Sequence, residues 1–89
     1  MKTILTVIGK DQKGIIAGVS QKLYEMDINI MDVNQSIMED YFVMIMLLDF
    51  SKTSYQFEDA KKILIETGEK LRMKVNIQRE EIFDAMHRI

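Results

Sequence analysis

The 89-residue chain contains no cysteine, no proline and only one histidine. Without cysteine there can be no disulfide, no thiolate nucleophile and no thiolate metal site. The one histidine, His87, stands near the end of the chain with Asp84 and Arg88 as neighbours. A metal site needs three or four convergent ligands, so His87 reads as a surface residue and no metal or other cofactor is expected. A surplus of one charge is missing as well. Twelve basic residues stand against fourteen acidic ones, the formal charge is −2, and the signs are interspersed. That withholds the basic stripe by which a nucleic-acid-binding protein is read. No apolar run approaches the roughly 20 residues of a membrane helix, and residues 1 to 9 read as a strand, not as a secretory signal. Neither nucleic acid nor membrane is an expected partner, and the cytosol is the expected compartment.

What remains is ordinary globular material, 47% hydrophobic and 29% charged. Its length leaves room for one domain, residues 1–89. Domains this small that lack covalent staples often gain burial by oligomerising.

The hydrophobic pattern divides the chain into six elements. Residues 2 to 9 are β-branched and apolar up to Gly9, a first strand. After the polar stretch 10 to 14, Ile15, Ile16, Val19, Leu23 and Met26 recur at helical spacing. Gly18 inside that helix costs about 1 kcal/mol relative to alanine, which predicts close approach by another backbone. Residues 28 to 38 form a second strand, Glu39-Asp40 a tight reversal, and residues 41 to 50 an almost wholly apolar third strand. Thr53 with Gln56 fits a capping box, opening a helix with Phe57, Ala60, Leu64 and Leu71 on one side. Residues 73 to 79 alternate, with Met73, Val75 and Ile77 inward, as a half-buried fourth strand.

The order βαββαβ and the rule of right-handed crossovers predict a ferredoxin-like α+β sandwich. Its antiparallel sheet runs in the order 4-1-3-2 with both helices on one face. Strand three poses a problem for that arrangement. Val43, Ile45 and Leu47 point to one side, while Phe42, Met44, Met46, Leu48 and Phe50 point to the other. Helices cover one face only, and a wetted second face would alternate with polar residues. Two covers are available. One is residues 80–89, a short C-terminal helix with Ile82, Phe83, Met86 and Ile89 on one side; the other is a second copy of the chain.

Catalytic groups are sparse. The carboxylate pairs Glu39-Asp40 and Glu80-Glu81 fall at a turn and at a helix start, where solvation or the helix dipole accounts for them. The serines have no base partner, and no phosphate-cradling glycine loop is present. The chain is therefore not expected to be an enzyme. An acyl-phosphate enzyme would want an anion-binding arginine near the first loop, and the local sequence has none. An RNA-recognition module would want stacking aromatics on strand one, which has none.

The informative segment is the connection from strand one to helix one. Gly9, Asp11, Gly14 and Ile15 bring two glycines and one acid to a helix N-terminus, whose N–H groups can receive a carboxylate. Asp11 can accept from an ammonium, so a zwitterionic amino acid matches both features. The plain alternative is that Asp11 is only a cap and Gly14 only a turn.

The run Val7-Ile8-Gly9-Lys10-Asp11-Gln12-Lys13-Gly14-Ile15-Ile16-Ala17-Gly18-Val19-Ser20, followed by Asp27-Ile28-Asn29-Ile30, resembles the ACT domain. It is most like bacterial stand-alone ACT proteins and the ACT halves of glycine-cleavage-system repressors and formyltetrahydrofolate deformylase. The likeness covers residues 1–79 by element order, with residues 80–89 as an extension. Many ACT domains carry proline before the glycine; here Lys13 leaves the loop less pre-set. The resemblance implies a non-catalytic regulatory module that binds an amino acid or similar metabolite at a homodimer interface and signals to a partner protein. It places Gly9, Asp11, Gly14 and Ile15 of one subunit opposite Asn29 of the other. The alternative is an interaction and dimerisation module with no small ligand.

Overall fold

The computed structural model describes residues 1–81. Its elements are β1 (Lys2–Lys10), α1 (Ile15–Glu25), β2 (Asn29–Met38), β3 (Tyr41–Asp49), α2 (Phe57–Lys70) and β4 (Met73–Arg79). The sheet order is β2-β3-β1-β4, and every neighbouring pair is antiparallel. This is the ferredoxin-like arrangement expected from the pattern. The expected C-terminal helix falls largely on residues 82–89, which lie outside the described residues; the backbone is already helical at Glu80 and Glu81.

Alternation along the strands decides where the core sits. Leu5 and Val7 of β1, Phe42, Met44, Met46 and Leu48 of β3, and Met73, Val75 and Ile77 of β4 face the helices and are buried. From α1 the core takes Ile15, Val19 and Leu23; from α2, Ala60 and Leu64. Ile16 departs from expectation: it is 43% exposed, because it flanks the buried stripe of α1 and does not belong to it. The environment of Gly18 differs too. A Cβ there would meet the Leu71 side chain at 3.1 Å, so a side chain, not a backbone, fills the space. A close backbone approach within a helix is found instead at Gly68 of α2, where a Cβ would lie 3.1 Å from the Met73 carbonyl oxygen and 2.3 Å from Val75.

Both helix boundaries have local causes. Helix α1 ends as Asp27 takes φ 57°, while the Ile28 N–H donates back to the Leu23 carbonyl. That left-handed closure satisfies the last free carbonyls of the helix. The capping box expected at Thr53 does not form. Helix α2 starts later, with Gln56 as its N-cap and Glu58 and Asp59 in the first turn, where the helix dipole favours acids. The Thr53 hydroxyl instead donates to the Met26 carbonyl and accepts the Tyr55 N–H at 3.1 Å, tying the end of α1 to the approach of α2.

Two surfaces are left without cover among the described residues. On the side of the sheet away from the helices, Ile4, Ile8, Val43, Ile45 and Leu47 form an apolar stripe, with Ile8 and Ile45 more than 40% exposed. On the helix side, edge strand β2 runs past the reach of α1, leaving Val33 44% and Ile37 53% exposed.

Among the described residues, Thr3 carries the one buried side-chain polar atom without a hydrogen-bond partner. It is fully buried, and its hydroxyl has no partner among the described residues. A buried unpaired hydroxyl costs about 1–3 kcal/mol, and valine has nearly the same shape. Thr3→Val should therefore raise unfolding free energy by roughly 1 kcal/mol in urea denaturation. A loss of stability would show that the hydroxyl is satisfied.

Candidate functional site

The β1–α1 loop is held from two sides. The Asp11 N–H donates to the Asp40 carbonyl at 2.9 Å, and Lys10 pairs with the Asp40 carboxylate at 3.3 Å, so the β2–β3 turn braces the loop. On the other side the Gln12 side-chain amide donates to the Leu71 carbonyl. Gly14 is the N-cap of α1 at φ 88°, with nothing within 4 Å of where a Cβ would stand. No side chain caps the helix, so Asp11 is not a cap. Its carboxylate is exposed at the mouth of a cleft of about 300 Å³ lined by Lys10, Asp11, Gln12 and Arg72.

The expected site residues divide by role. Asp11 and Gly14 are open to solvent at this mouth. Ile15 is buried with its side chain in the core, so only its backbone can face a ligand. Gly9 has a packing reason of its own, since a Cβ would lie 2.6 Å from the Met73 sulfur and 3.0 Å from the Arg72 carbonyl oxygen. Asn29 is not at this end of the molecule at all. It pairs with Asp49, which pairs with Lys2, whereas the loop follows Lys10, eight residues along β1. At the rise of a strand that separation is about 26 Å.

Asn29 lines a larger cleft of about 600 Å³, together with Tyr24, Asp27, Asp49, Ser51 and Lys52. Here Asp49 is engaged: it accepts the Ser51 N–H at 2.9 Å and the Ser51 hydroxyl at 3.0 Å. These bonds, the backbone one foremost, hold its carboxyl below the usual carboxylate range. Among the described residues no group of three or more histidine, cysteine, aspartate or glutamate side chains is placed to hold a metal.

Sequence reasoning found no arginine near the first loop, yet Arg72 is there. It reaches the loop through topology: β4 pairs antiparallel with β1, and Met73 faces Gly9, so the α2–β4 turn lands beside the end of β1. The strand order contained that information, although the local sequence did not.

The ACT domain family pattern matches residues 2–78, and the chain belongs to that family. It is 54% identical over 89 residues to the UPF0237 protein lin0537 of Listeria innocua, covering 100% of both chains. It is 40% identical to an ACT domain protein from Streptococcus pneumoniae of solved structure, with a TM-score of 0.83 over 98% of each chain. A formyltetrahydrofolate deformylase from Pseudomonas putida KT2440 shares the fold at 15% identity and TM-score 0.77, over 88% of this chain and 28% of that one. ACT domains are regulatory modules that bind small molecules.

The Asp49 contacts carry a pH signature. A carboxyl whose folded pKa is depressed adds stability above its unfolded value of about 3.9 and loses it as pH falls through the lower folded value. The side-chain carboxyl carbon of Asp49 should therefore titrate below about 3.9 by NMR, and Ser51→Ala should move the midpoint upward. A wild-type midpoint at the ordinary value would contradict the hydrogen-bond assignment.

Proposed function

We propose that this ACT-family chain is a non-catalytic regulatory module. In this reading it binds an amino acid or similar small metabolite between two copies of itself and passes the signal to a partner protein. The observation that carries the reading is the bare β2 edge: ten residues, nine of them exposed and the other half-buried, with apolar Val33 and Ile37 on the helix side. Such an edge is a template for another strand. Its sparse charge and the single irregularity between Ile30 and Asp32 do little to blunt it.

Antiparallel pairing of two β2 strands about a two-fold axis joins the two halves of the site. It brings Asn29 of the partner subunit toward the Met38 end of β2, and Met38, Tyr41 and Lys10 lie in one row leading to the β1–α1 loop. One chain alone cannot bridge the distance between them. At the junction the first-turn N–H groups of α1 and Arg72 favour a carboxylate, and Asp11 favours an ammonium. The Asn29 amide can serve either, since it both donates and accepts.

Light scattering after size exclusion should give twice the monomer mass at micromolar concentration. Ile37→Lys should yield monomer, because a charge would be buried unpaired at the seam. A wild-type monomer would refute the pairing.

A thermal-shift screen against free amino acids and related metabolites tests the ligand. At a hundredfold excess over Kd, binding adds about 2.7 kcal/mol. Gly14→Val should abolish that response while leaving a folded dimer, because a β-branched side chain at positive φ distorts the loop at a cost of roughly 1–2 kcal/mol. Calorimetric affinity unchanged in Gly14→Val would remove this loop from the site. A dimer that responds to no metabolite yet captures a protein partner would favour a ligand-free interaction module.

A further inference from the structure

The cleft beside the β1–α1 loop carries more charge than a neutral amino acid can match. Two of its four lining groups are already engaged. The Lys10 ammonium pairs with the Asp40 carboxylate at 3.3 Å, and the Gln12 amide donates to the Leu71 carbonyl. The other two, the Asp11 carboxylate and the Arg72 guanidinium, line the same cleft with opposite charges. Neither has an ion-pair partner among the described residues, and exposed Lys13, one residue before Gly14, has none either. The backbone holds the two apart. The Asp11 N–H is bound to the Asp40 carbonyl at 2.9 Å on the β3 side of the loop, and the Arg72 N–H to the Glu69 carbonyl at 3.0 Å on the β4 side. Arg72 also has φ 58°, in the left-handed region that favours glycine. Its carbonyl oxygen takes the space that Gly9 leaves, 3.0 Å from where a Cβ would stand. Glycine would close α2 there with less strain, so the fold alone does not call for a guanidinium at this place.

We propose that Arg72 determines ligand specificity and that the ligand is a dicarboxylic amino acid of the aspartate or glutamate type. This rests on the reading of the loop as an amino-acid site and adds the charge of the side chain that the site selects. The free charges are ordered. Arg72 reaches the loop from the β4 side, Asp11 stands within the loop, and Lys13 stands at the start of α1, which leads away toward β2. The order is positive, negative, positive. An acidic amino acid presents the reverse, an ammonium between two carboxylates. Asp11 takes the ammonium, the start of α1 with Lys13 takes the α-carboxylate, and Arg72 takes the side-chain carboxylate with the paired donors of its planar fork. A neutral side chain leaves the guanidinium unmatched, and the carboxamide of asparagine or glutamine offers it one acceptor oxygen and no charge. The bond from Gln12 to the carbonyl preceding Arg72 fixes the arginine's base against the loop, which makes Gln12 a positioning residue.

Calorimetric titration of the full chain with L-aspartate, L-glutamate, L-asparagine and L-glutamine tests this, with the other common amino acids as a reference set. One of the two acids should bind about tenfold tighter than its own amide, and the preference should shrink as salt is raised. Arg72→Gln should bring the acid down to the level of its amide while leaving the amide's affinity and the urea midpoint unchanged. Arg72→Lys, which keeps the charge but not the fork, should retain part of the preference. A purely structural role for Arg72 predicts something else, an equal loss for acid and amide. That result would overturn the proposal, as would a preference for the acid that survives Arg72→Gln. Amides or other neutral amino acids binding wild-type chain as tightly as the acids would overturn it too, and would leave the amino-acid reading of the loop standing. No binding by any amino acid would remove both.

Discussion

Two helices cannot cover a four-stranded sheet whose central strand is apolar on both sides, and that shortfall organises the rest of the molecule. The helices bury one face of β1, β3 and β4 almost completely. They leave the opposite stripe and the flank of β2 to be covered by something else. Burial of apolar surface at about 25 cal/mol per Å² makes both exposures costly for a chain of 89 residues with no disulfide. The proposed pairing of β2 strands answers the second of these exposures.

The same topology determines where a ligand can sit. Because β2 runs parallel to β1 with β3 between them, the loop that follows β1 and the residue that opens β2 lie at opposite ends of the sheet. Asp11 and Asn29 can act on one small molecule only if a two-fold axis brings two chains head to tail. A binding site of this kind exists only in the dimer, and this links ligand occupancy to association. A regulatory module needs that link, for a ligand shifts only an equilibrium whose two states it binds differently.

The strand order was readable from the element order βαββαβ and the rule of right-handed crossovers, and the continuously apolar β1 and β3 do lie at the centre of the sheet. Asp32, Asn34 and Gln35 in β2, and Lys74 and Gln78 in β4, are the polar residues that suit these two strands to the edges. Local chemistry was less legible. Thr53 had a better acceptor in the Met26 carbonyl than any cap could offer, a contact between residues 27 positions apart. Ile16 satisfied the helical spacing yet lay just outside the buried arc. Gly9 looked like part of a ligand loop, and the space it leaves is taken up by Met73 and the Arg72 carbonyl. Arg72 was missed because proximity across a sheet is a property of pairing and not of sequence neighbourhood. At Thr53 and at Arg72 a contact between distant segments overrode a local rule.

The central claim is that the β2 edge is paired with β2 of a second copy, and backbone amide hydrogen exchange on β2 reads it most directly. If the edge is paired, the outward-pointing N–H groups between Asn29 and Met38 should be protected nearly as well as those of β3, with protection falling on dilution. Exchange of those amides at the rate of an unstructured peptide, at concentrations where the rest of the sheet stays protected, would contradict the account.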